Sequence, residues 1–597
     1  MADEINSFQE EELEAKAYDS RLMKRLLRFA ARYWGYFALA LVLLIASTIV
    51  DLVRPYLMGI TIDEFIKMGD ARSLNRMGFY FVLLVAAGFI FNLLQIYVLS
   101  YTGQAIIYNI RQQIFTHLQK MPLAYFDKNP IGRLVTRVTN DTETLNEMYT
   151  NVLVTLLKDF AILTGTVIIM FRMNRMLTLV TLAVMPVVVV LTVFFRHKIR
   201  IVYRNVRVTL AKINSAISEN ISGMRIIQMF NREKENYGKF NETGKEYYKA
   251  AMSEVVTFGL FRPVIEMLAS FAIALLIWFG GGDVIEGRLK FGILYAFVNY
   301  VSLLFQPIND LAEKYNILQS SMAASERIFM ILDAPVEEDT GTWQKPDEGA
   351  AIGDIEFKNV WFAYHENDWV LRDVSFKVPA GSTVAIVGAT GAGKTSVINL
   401  LSRFYEIQKG EILIDGINIR EMKKDDLRRS IGVVLQDVFL FSGKLKDNIR
   451  LNEVHISDEK IEEAARYVNA DSFISNLPNG YNEEVMERGS TLSSGQRQLL
   501  AFARALAFDP AILVLDEATS NIDTETELLI QDALAKLTRN RTTIVIAHRL
   551  STIQHADNII VLHKGKVRES GNHQELLAKK GMYYSLYKLQ YLQKAHQ

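Results

Sequence analysis

The chain has 597 residues, too many for one hydrophobic core, so its length predicts about two to four domains. Hydrophobic residues make up 50% of the chain and charged residues 22%, a mixture that indicates a membrane-spanning half joined to a water-exposed half. Lys+Arg and Asp+Glu both number 66, so no basic excess argues for nucleic acid as a partner. Cysteine is absent, which excludes a disulfide framework, a thiolate zinc site and a cysteine nucleophile.

The N-terminal stretch 1–19 is acidic before any apolar run occurs. Its acidity argues against a signal peptide and against an Arg-rich transit peptide, so we interpret it as an exposed or disordered tail. From Ser20 to Arg32, apolar residues alternate with basic ones. This pattern predicts an amphipathic helix lying at the membrane surface, which would begin a transmembrane domain over 20–332.

Six apolar runs follow, and a membrane span needs about 20 residues at ~1.5 Å each. The predicted spans are Tyr36–Leu57, Phe79–Leu99, Val152–Phe171, Leu177–Phe195, Val264–Gly280 and Phe291–Phe305. The stretches Arg111–Arg137 and Arg196–Arg232 between them are basic. Because basic loops stay in the cytoplasm, both termini are predicted to be cytoplasmic.

The loop after the second span contains no helix breaker between Leu99 and Pro122. The second span is therefore predicted to continue for about 20 residues, or ~30 Å, into the cytosol. A returning helix is predicted to start near the capping signal at Thr139–Asp141.

The tips of the two long cytoplasmic loops carry aromatic residues. The first tip presents Tyr125, Phe126 and Asp127 as candidate coupling residues, and the second is Asn231–Phe240. Aromatic residues at the ends of rigid arms suggest docking into a partner domain, and the alternative is a pair of merely solvated helical hairpins.

Four charged residues lie in or near the apolar runs: Asp51, Arg54, Glu266 and Asp310. Charges in a membrane are costly and usually face a cavity or one another. The sequence does not separate a role in a transport path from a structural pairing near helix ends.

The second half of the chain changes in periodicity after Pro335. Residues 333–353 are interpreted as a linker, and short strand-like runs then alternate with helices through 354–597. The runs are Ile355–Phe362, Val374–Val378, Thr383–Val387, Ile412–Ile414, Ile431–Leu435, Ile512–Leu515, Thr543–Ile546 and Ile559–Leu562. They predict an α/β domain around a largely parallel sheet.

The third of these runs leads directly into GATGAGKTS, which matches the P-loop pattern G-x-x-x-x-G-K-[ST]. Backbone N–H groups of such a turn surround phosphate oxygens, and the following helix directs its positive end at them. Lys394 is predicted to reach the β- and γ-phosphates, and Thr395 to bind Mg²⁺. The predicted phosphate-binding residues are Gly388, Ala389, Thr390, Gly391, Ala392, Gly393, Lys394, Thr395 and Ser396.

A second chemical element is Ile512–Glu517, an apolar run that ends in two acids. Asp516 is predicted to order Mg²⁺ and its water, and Glu517 to accept a proton from the water that attacks the γ-phosphate. An apolar run with acids at its end is common, so this element does not decide the function alone.

Leu492–Gln496, LSSGQ, shortly precedes that run, and here the chain resembles the ATP-binding cassette (ABC) family, whose signature is usually LSGGQ. The six-span half resembles the type I ABC exporter layout, so the resemblance covers nearly the whole chain. It implies a membrane all-α domain followed by an α/β P-loop ATPase domain, and an ATP-hydrolysing translocase. The subunits that it resembles most are those of heterodimeric bacterial multidrug exporters.

The resemblance also assigns roles to single residues. Tyr364 would stack on adenine, Gln436 would bind Mg²⁺, Asp523 would belong to the D-loop and His548 would contact the γ-phosphate. The signature would complete the ATP site of the opposite subunit, through Ser493, Ser494, Gly495 and Gln496.

Two departures from the family pattern concern the partner. Ser494 replaces the usual first glycine of the signature and adds a side chain where a phosphate approaches. Val485–Met486 stand before ERG (Glu487–Gly489), at positions where related exporters often carry other residues. An altered signature beside a complete P-loop favours pairing with a different, partly degenerate chain over a homodimer.

The sequence thus predicts export of hydrophobic or amphipathic compounds across a bacterial inner membrane, driven by ATP and Mg²⁺. A lipid flippase and an ATP-gated channel or regulator remain alternatives. A soluble DNA-repair ATPase is excluded by the six spans, and a peptide exporter with a fused cysteine protease by the missing cysteines. The lipid bilayer, a small hydrophobic substrate and a second half-transporter are the predicted partners.

Overall fold

The computed structural model describes residues 19–343, 353–366, 368–516, 524–546 and 553–595. The chain divides into two compact units. The helical unit comprises Met1–Lys120 and Pro130–Pro335, and the α/β unit comprises Met121–Asn129 and Val336–Gln597. The short segment Met121–Asn129, at the tip of the first long loop, therefore groups with the α/β unit rather than with the helices that flank it in sequence.

The helices before residue 335 are numbered in chain order. They are α1 (Ser20–Ala31), α2 (Trp34–Ile60), α3 (Ala71–Leu118), α4 (Leu123–Lys128), α5 (Ile131–Thr136), α6 (Thr142–Glu147), α7 (Leu153–Met173), α8 (Arg175–Leu182), α9 (Met185–Ser222), α10 (Met224–Met229), α11 (Glu233–Ile285) and α12 (Phe291–Asp333). Single π-helical turns at Thr61–Ile66, Arg137–Asp141 and Met148–Val152 join some of them.

Within the described residues, five helical stretches are long and apolar enough to cross a membrane, judged by length and composition. They are Trp34–Ile66, Ala71–Leu118, Ile131–Met173, Arg175–Ser222 and Glu233–Ile285. The sixth predicted span corresponds to Phe291–Pro307, a shorter apolar part of α12. The prediction of an all-helical membrane domain is confirmed.

The predicted helical continuation beyond the second span is confirmed, since α3 continues unbroken to Leu118. The predicted start of the returning helix near Thr139–Asp141 is wrong. The helix begins at Ile131, because Pro130 takes φ −55° and starts it. Asp141 lies inside the helical stretch, where its carboxylate accepts from Arg327 at 2.9 and 2.5 Å.

Two fully buried tyrosines join distant helices of the helical unit. The Tyr149 hydroxyl donates to the Leu26 carbonyl of α1 at 2.7 Å, and the Tyr300 hydroxyl donates to the Leu52 carbonyl of α2 at 2.7 Å. Each bond satisfies a buried hydroxyl, and the first holds α1 against the helical bundle.

The α/β unit contains twelve numbered strands and nine further helices among the described residues. The strands are β1 (Ile355–Ala363), β2 (Trp369–Val378), β3 (Thr383–Val387), β4 (Lys409–Ile414), β5 (Ile417–Asn418), β6 (Ile431–Val434), β7 (Gly443–Lys444), β8 (Glu484–Val485), β9 (Ile512–Asp516), β10 (Thr542–Ile546), β11 (Asn558–His563) and β12 (Lys566–Gly571). The helices are α13 (Lys394–Leu401), α14 (Lys424–Ser430), α15 (Leu445–Arg450), α16 (Asp458–Tyr467), α17 (Asp471–Ile474), α18 (Ser494–Ala507), α19 (Thr524–Leu537), α20 (His573–Lys579) and α21 (Met582–Ala595).

The strands form two main sheets instead of the single sheet predicted. A six-stranded sheet has the order β12-β11-β3-β10-β9-β6 and is parallel except for β12. The runs that became β1, β2 and β4 form a separate antiparallel sheet with β5, in the order β2-β1-β4-β5. Sequence periodicity marks these runs as strands, but pairing depends on contacts between residues far apart in the chain.

The segment after Pro335 packs into the α/β unit. The Glu337 carboxylate accepts from Arg428 at 2.7 and 3.2 Å and lies 3.1 Å from Lys424. Arg403 donates to the Thr340 hydroxyl at 3.1 Å. Residues 337–340 are therefore tied to the α/β unit, although they fall inside the predicted linker.

Candidate nucleotide-binding site

The phosphate loop begins where β3 ends, in the interior of the parallel sheet. β3 lies between β11 and β10, and its residues Val384–Val387 are buried. The loop that follows needs glycine in a left-handed conformation at Gly391 (φ +79°) and Gly393 (φ +100°). A Cβ on Gly388 would lie 2.1 Å from the Leu562 carbonyl oxygen. These steric conditions explain why the glycines occur at these positions.

Lys394 starts α13 and folds back over the loop. Its Nζ donates to the carbonyl oxygens of Gly388 at 2.8 Å and Ala389 at 3.1 Å. Burial lowers the pKa of Lys394, and the nearby negative charge of Asp516 partly opposes that shift. The ammonium group is therefore held at the centre of the turn, beside the positive end of α13, where an anion is stabilised.

Three predicted magnesium ligands occupy separate elements. Thr395 is exposed in the first turn of α13, Gln436 is exposed just after β6, and Asp516 is buried at the end of β9. A hydroxyl, an amide oxygen and a carboxylate are oxygen ligands of the kind that Mg²⁺ prefers. Among the described residues, no group of three or more His, Cys, Asp or Glu side chains is placed to hold a metal. The hydroxyl, amide and carboxylate oxygens of Thr395, Gln436 and Asp516 are of the types that could share a magnesium ion with nucleotide phosphates.

Tyr364 lies directly after β1 and contacts the start of α13. Its hydroxyl lies 3.1 Å from the Ser396 hydroxyl and accepts from the Asn399 amide at 3.3 Å. Its ring packs edge-to-face with Phe362 and Tyr405, at centroid distances of 4.7 and 5.0 Å. These contacts orient the ring beside the phosphate loop and leave the residue 38% exposed, enough for a planar base to stack on it.

The signature segment forms the start of α18. Ser493 is the N-cap: its hydroxyl accepts from the Gln496 N–H at 3.2 Å, and the Gln496 side chain accepts from the Ser493 N–H at 2.9 Å. Ser494 is exposed and Gly495 is buried. The side-chain oxygen of Gln496 therefore caps its own helix, while Ser493 and Ser494 lie at the helix end that attracts anions.

Comparison with known proteins agrees with this geometry. The family model described as ABC transporter transmembrane region matches residues 37–308, and the one described as ABC transporter matches residues 371–520. The probable multidrug resistance ABC transporter ATP-binding/permease protein YheH of Bacillus subtilis is 43% identical over 84% of this chain and 74% of its own length. The ATP-dependent lipid A-core flippase of Syntrophus aciditrophicus is 36% identical over 96% of this chain and 94% of its own.

A solved bacterial Atm1-family ABC exporter with ATP bound is similar over 96% of this chain and 99% of its own, with a TM-score of 0.74 and 27% identity. The chain belongs to the type I ABC exporters. It joins a multi-pass transmembrane region and an ABC-type ATPase in one polypeptide, and its activity is ATP-driven export. As a half-transporter, this exporter needs a second subunit.

In this exporter the candidate coupling residues lie on α4, within the α/β unit. Tyr125 and Phe126 pack edge-to-face at 6.0 Å, and the Asp127 carboxylate accepts a hydrogen bond from the Tyr405 hydroxyl. Tyr405 also contacts Tyr364, so two aromatic rings connect Asp127 with the predicted adenine site. Tyr405 was not predicted from the sequence, since no motif marks a tyrosine in the turn after α13.

Three predicted residues of the exporter lie outside the described residues: Glu517, Asp523 and His548. The strands that lead to two of them are described, since β9 ends at Asp516 and β10 ends at Ile546. Their roles stay predictions.

The charges within the spans have specific neighbours. Asp51 lies 3.8 Å from Arg54 and 3.7 Å from Lys158, and Lys314 forms an ion pair with Asp159. Lys158 and Asp159 were missed because the run that contains them was interpreted only by its hydrophobicity, and Lys314 lies beyond the last predicted run. Glu266 has an interaction partner, and the side chain of Asp310 lies outside the described set.

Proposed function

We propose that this exporter moves hydrophobic or amphipathic compounds out of a bacterial cytoplasm across the inner membrane, paired with a different half-transporter. The proposed class of substrate rests on the charged pairs that lie on otherwise apolar spans. Asp51, Arg54 and Lys158 are each partly exposed, with side-chain exposures of 32, 38 and 25%. Charges kept at such positions usually face a polar path or cavity.

An amphipathic cargo suits such a surface because it offers both an apolar body and a polar group. The apolar faces of the spans would contact the body, and the Asp51–Lys158 pair would exchange its own contact for one with the polar group. The Lys314–Asp159 pair is more enclosed, with side-chain exposures of 12 and 17%, and suits a structural role. We therefore assign the cargo contact to Asp51 and Lys158.

ATP and Mg²⁺ are expected at the phosphate loop of this chain. Magnesium would neutralise charge that develops on the phosphates. Lys394 would turn from the Gly388 and Ala389 carbonyls towards the γ-phosphate, Thr395, Gln436 and Asp516 would position the ion, and Tyr364 would stack on adenine. Glu517 would hold the attacking water and accept its proton, with His548 near the γ-phosphate and Asp523 in the D-loop.

The partner subunit supplies what one chain lacks. A phosphate loop needs a signature from the opposite subunit, and the LSSGQ segment of this chain would face the partner's own ATP. The Ser494 side chain crowds that position, whereas nothing in this chain's phosphate loop departs from the pattern. This asymmetry favours a heterodimer in which the pocket built on this chain hydrolyses ATP.

The second cytoplasmic tip supports a partner as well. Ile226, Met229 and Phe230 are 64–69% exposed around the α10 turn. Apolar side chains at the end of two long helices favour docking onto a surface of the second subunit. The domain limits 20–332, 333–353 and 354–597 and the cytoplasmic location of both termini remain part of this proposal.

The decisive experiment measures ATP-dependent uptake into inside-out vesicles that contain the chain with its co-expressed genomic neighbours. A fluorescent amphipathic dye is expected to accumulate with wild type and to fail with Lys394→Ala. Asp51→Asn is expected to reduce uptake by about two- to fivefold, the range for a partly exposed ion pair. Asp283→Asn, which removes a carboxylate paired with Arg288 at the end of α11, is the matched control and is expected to change little.

A lipid flippase is the second candidate, favoured by the similarity to the lipid A-core flippase. In the same vesicles, movement of a labelled phospholipid without accumulation of the dye would favour the flippase. ATP-dependent ion current without uptake of either would replace export by a gated channel. Equal effects of Asp51→Asn and Asp283→Asn would contradict the assigned cargo contact.

A further inference from the structure

A groove of about 590 Å³ lies within the helical unit, outside the nucleotide site and the charged pairs of the spans. Its walls come from α1, from the C-terminal end of α3 and from the last turns of α12. The α3 side chains that line it run from Asn109 to Lys120, just past the end of the helix. Asn109 lies ten residues after Leu99, where the second predicted span ends, or about 15 Å further along the helix. We therefore expect the occupant of this groove to come from the water phase.

The lining of the groove is basic. Arg25, Arg28 and Lys120 contribute to it, together with the imidazole of His117, and none of the described residues that line it is acidic. Arg25 is compensated, since its guanidinium forms a two-pronged pair with Asp333 at 2.6 and 2.8 Å. The side chains of Arg28 and Lys120 are exposed, and among the described residues they make no hydrogen bond or ion pair. Two positive charges of the groove therefore lack a partner in the described part of the chain.

The helix α1 runs antiparallel to the end of α3 along this groove. The Asn109 amide donates to the hydroxyl of Tyr33, which follows α1. Eight positions further along α3, the His117 ring lies 3.0 Å from the carbonyl oxygen of Ala334, the residue that follows the ion-pair partner of Arg25. The N-terminus of α1 therefore lies at the end of the groove opposite to Asn109, which is the end where α3 stops.

The chain that precedes α1 is strongly acidic. Residues 1–18 lie outside the described residues, and their sequence has one basic residue, Lys16, and six acidic ones: Asp3, Glu4, Glu10, Glu11, Glu12 and Glu14. Four of the six lie within Glu10–Glu14, the sequence EEELE. This segment therefore carries the charge that the groove lacks.

The acidic segment is close enough in sequence to reach the groove. The described chain leaves α1 at Asp19, whose backbone is extended and whose carboxylate accepts from the Arg21 N–H at 2.7 Å. Glu10 lies nine residues before Asp19, which an extended chain covers in about 30 Å. Arg28 lies nine residues after Asp19, or about 13 Å along α1. A chain that turns back beside α1 can thus bring Glu10–Glu14 to Arg28.

We propose that the acidic segment Glu10–Glu14 of this same chain docks in the groove, with its carboxylates facing Arg28 and Lys120. The amides of Gln112 and Gln113, which also line the groove, donate to carboxylate oxygens that the two cations leave free. The docked segment links α1, α3 and α12 at one end of the helical unit. This contact goes beyond the proposed function, because it involves neither the phosphate loop nor the charged pairs of the spans.

Tethering is the reason to expect this segment rather than a free anion. Each exposed ion pair contributes little, so the groove holds any small anion weakly. A segment tethered this closely has an effective concentration of about a millimolar or more, without any further contact. The acidic segment therefore fills the groove ahead of dissolved anions of similar affinity.

The absence of cysteine from the chain allows a direct test by disulfide cross-linking. Leu13→Cys, which keeps every acidic residue, is combined with Thr116→Cys in the full-length exporter, with its partner subunit where assembly requires it. The control pair combines Leu13→Cys with Gln119→Cys, because Gln119 is exposed on the same part of α3 but does not line the groove. Mass spectrometry of the linked peptides is expected to show oxidation about fivefold faster for the Thr116 pair, on the scale of the exposed ion pairs that hold the segment.

Charge reversal tests whether the groove cations hold the segment. In the Leu13→Cys, Thr116→Cys background, Arg28→Glu with Lys120→Glu is expected to slow cross-linking about tenfold, on the scale of two exposed ion pairs. Adding Glu11→Lys and Glu12→Lys is expected to restore the rate to within about twofold. Misfolding would not be corrected by the second pair of changes, and ATP binding reports folding of every variant.

Arg21→Glu is the matched control for Arg28→Glu, since it reverses the same charge on the exposed face of α1 outside the groove. It is expected to change the rate less than about twofold. Equal effects of these two reversals, equal cross-linking of the Thr116 and Gln119 pairs, or no restoration by the lysines would overturn the docking site.

Two further outcomes would assign the groove to a different occupant. A disulfide that joins two polypeptides instead of closing within one would overturn the intrachain contact and identify the segment of a second copy as the occupant. Inorganic phosphate that prevents cross-linking, where sodium chloride of the same ionic strength does not, would overturn the proposal in favour of a soluble phosphate ligand.

Discussion

The phosphate loop and the signature segment of this chain differ in how far each is held in place by other residues of the same chain. The phosphate loop follows a buried strand, and its lysine is held by two carbonyl oxygens of the same loop. The signature is the exposed start of α18, where the side chains of Ser493 and Gln496 each accept a hydrogen bond from the other residue's backbone N–H. The phosphate loop is therefore held within the chain, whereas the signature is an exposed, capped helix end that we propose faces a second subunit.

The largest effect that would test this difference is expected from Glu517→Gln. Loss of the general base is expected to reduce turnover by about 10²–10⁴-fold while ATP binding persists. ATPase rates and nucleotide retained after washing measure the two properties separately. Turnover within tenfold of wild type would remove Glu517 from this role.

Lys394→Ala tests the completed half directly. Loss of the charged partner of the γ-phosphate is expected to weaken ATP binding by about 10- to 100-fold, the scale of a charge-assisted hydrogen bond. Equilibrium binding of a fluorescent ATP analogue measures it. Lys446→Ala, which removes a lysine paired with Asp458 on the same unit, is the control and is expected to leave ATP affinity unchanged. An unaltered affinity in Lys394→Ala would contradict the assignment of the pocket.

Ser494→Gly tests the half that faces the partner. In a heterodimer it acts only on the weaker site, so overall ATPase is expected to change by less than about threefold, within the energy of one partly exposed contact. In a homodimer the substitution alters both sites, and a much larger change follows. Native mass of the co-expressed assembly identifies which case applies, and a stable, fully active assembly of this chain alone would refute the heterodimer.

Tyr405→Phe is expected to have the smallest effect, since it removes one hydroxyl and keeps the ring against Tyr364. Without the hydrogen bond to Asp127, transport per ATP hydrolysed is expected to fall by about twofold, on the scale of one net hydrogen bond at an exposed site. Uptake and ATPase measured on the same vesicles give this ratio. Tyr467→Phe, which removes a hydroxyl bonded to the Lys536 carbonyl, is the control. Equal ratios in both variants would place Tyr405 outside the coupling route.

The sequence by itself determined the features that depend on local pattern. The phosphate loop, the signature, the long extension of α3 and the apolar spans are encoded by residues close together in the chain, because helix periodicity, apolar length and glycine geometry act over a few turns. Even there, local pattern misplaced one boundary: the capping signal at Thr139–Asp141 was outweighed by Pro130, which starts the helix earlier.

Only the tertiary structure decided the features that join distant residues. The contact of Tyr405 with Asp127 spans 278 positions and the pair of Arg25 with Asp333 spans 308, and neither has a sequence signal. The antiparallel pairing of β1, β2 and β4 arises in the same way. Burial of apolar surface elsewhere in the fold brings these residues together. Because that burial is compatible with many residue types at the positions that come into contact, the sequence alone does not indicate which residues meet.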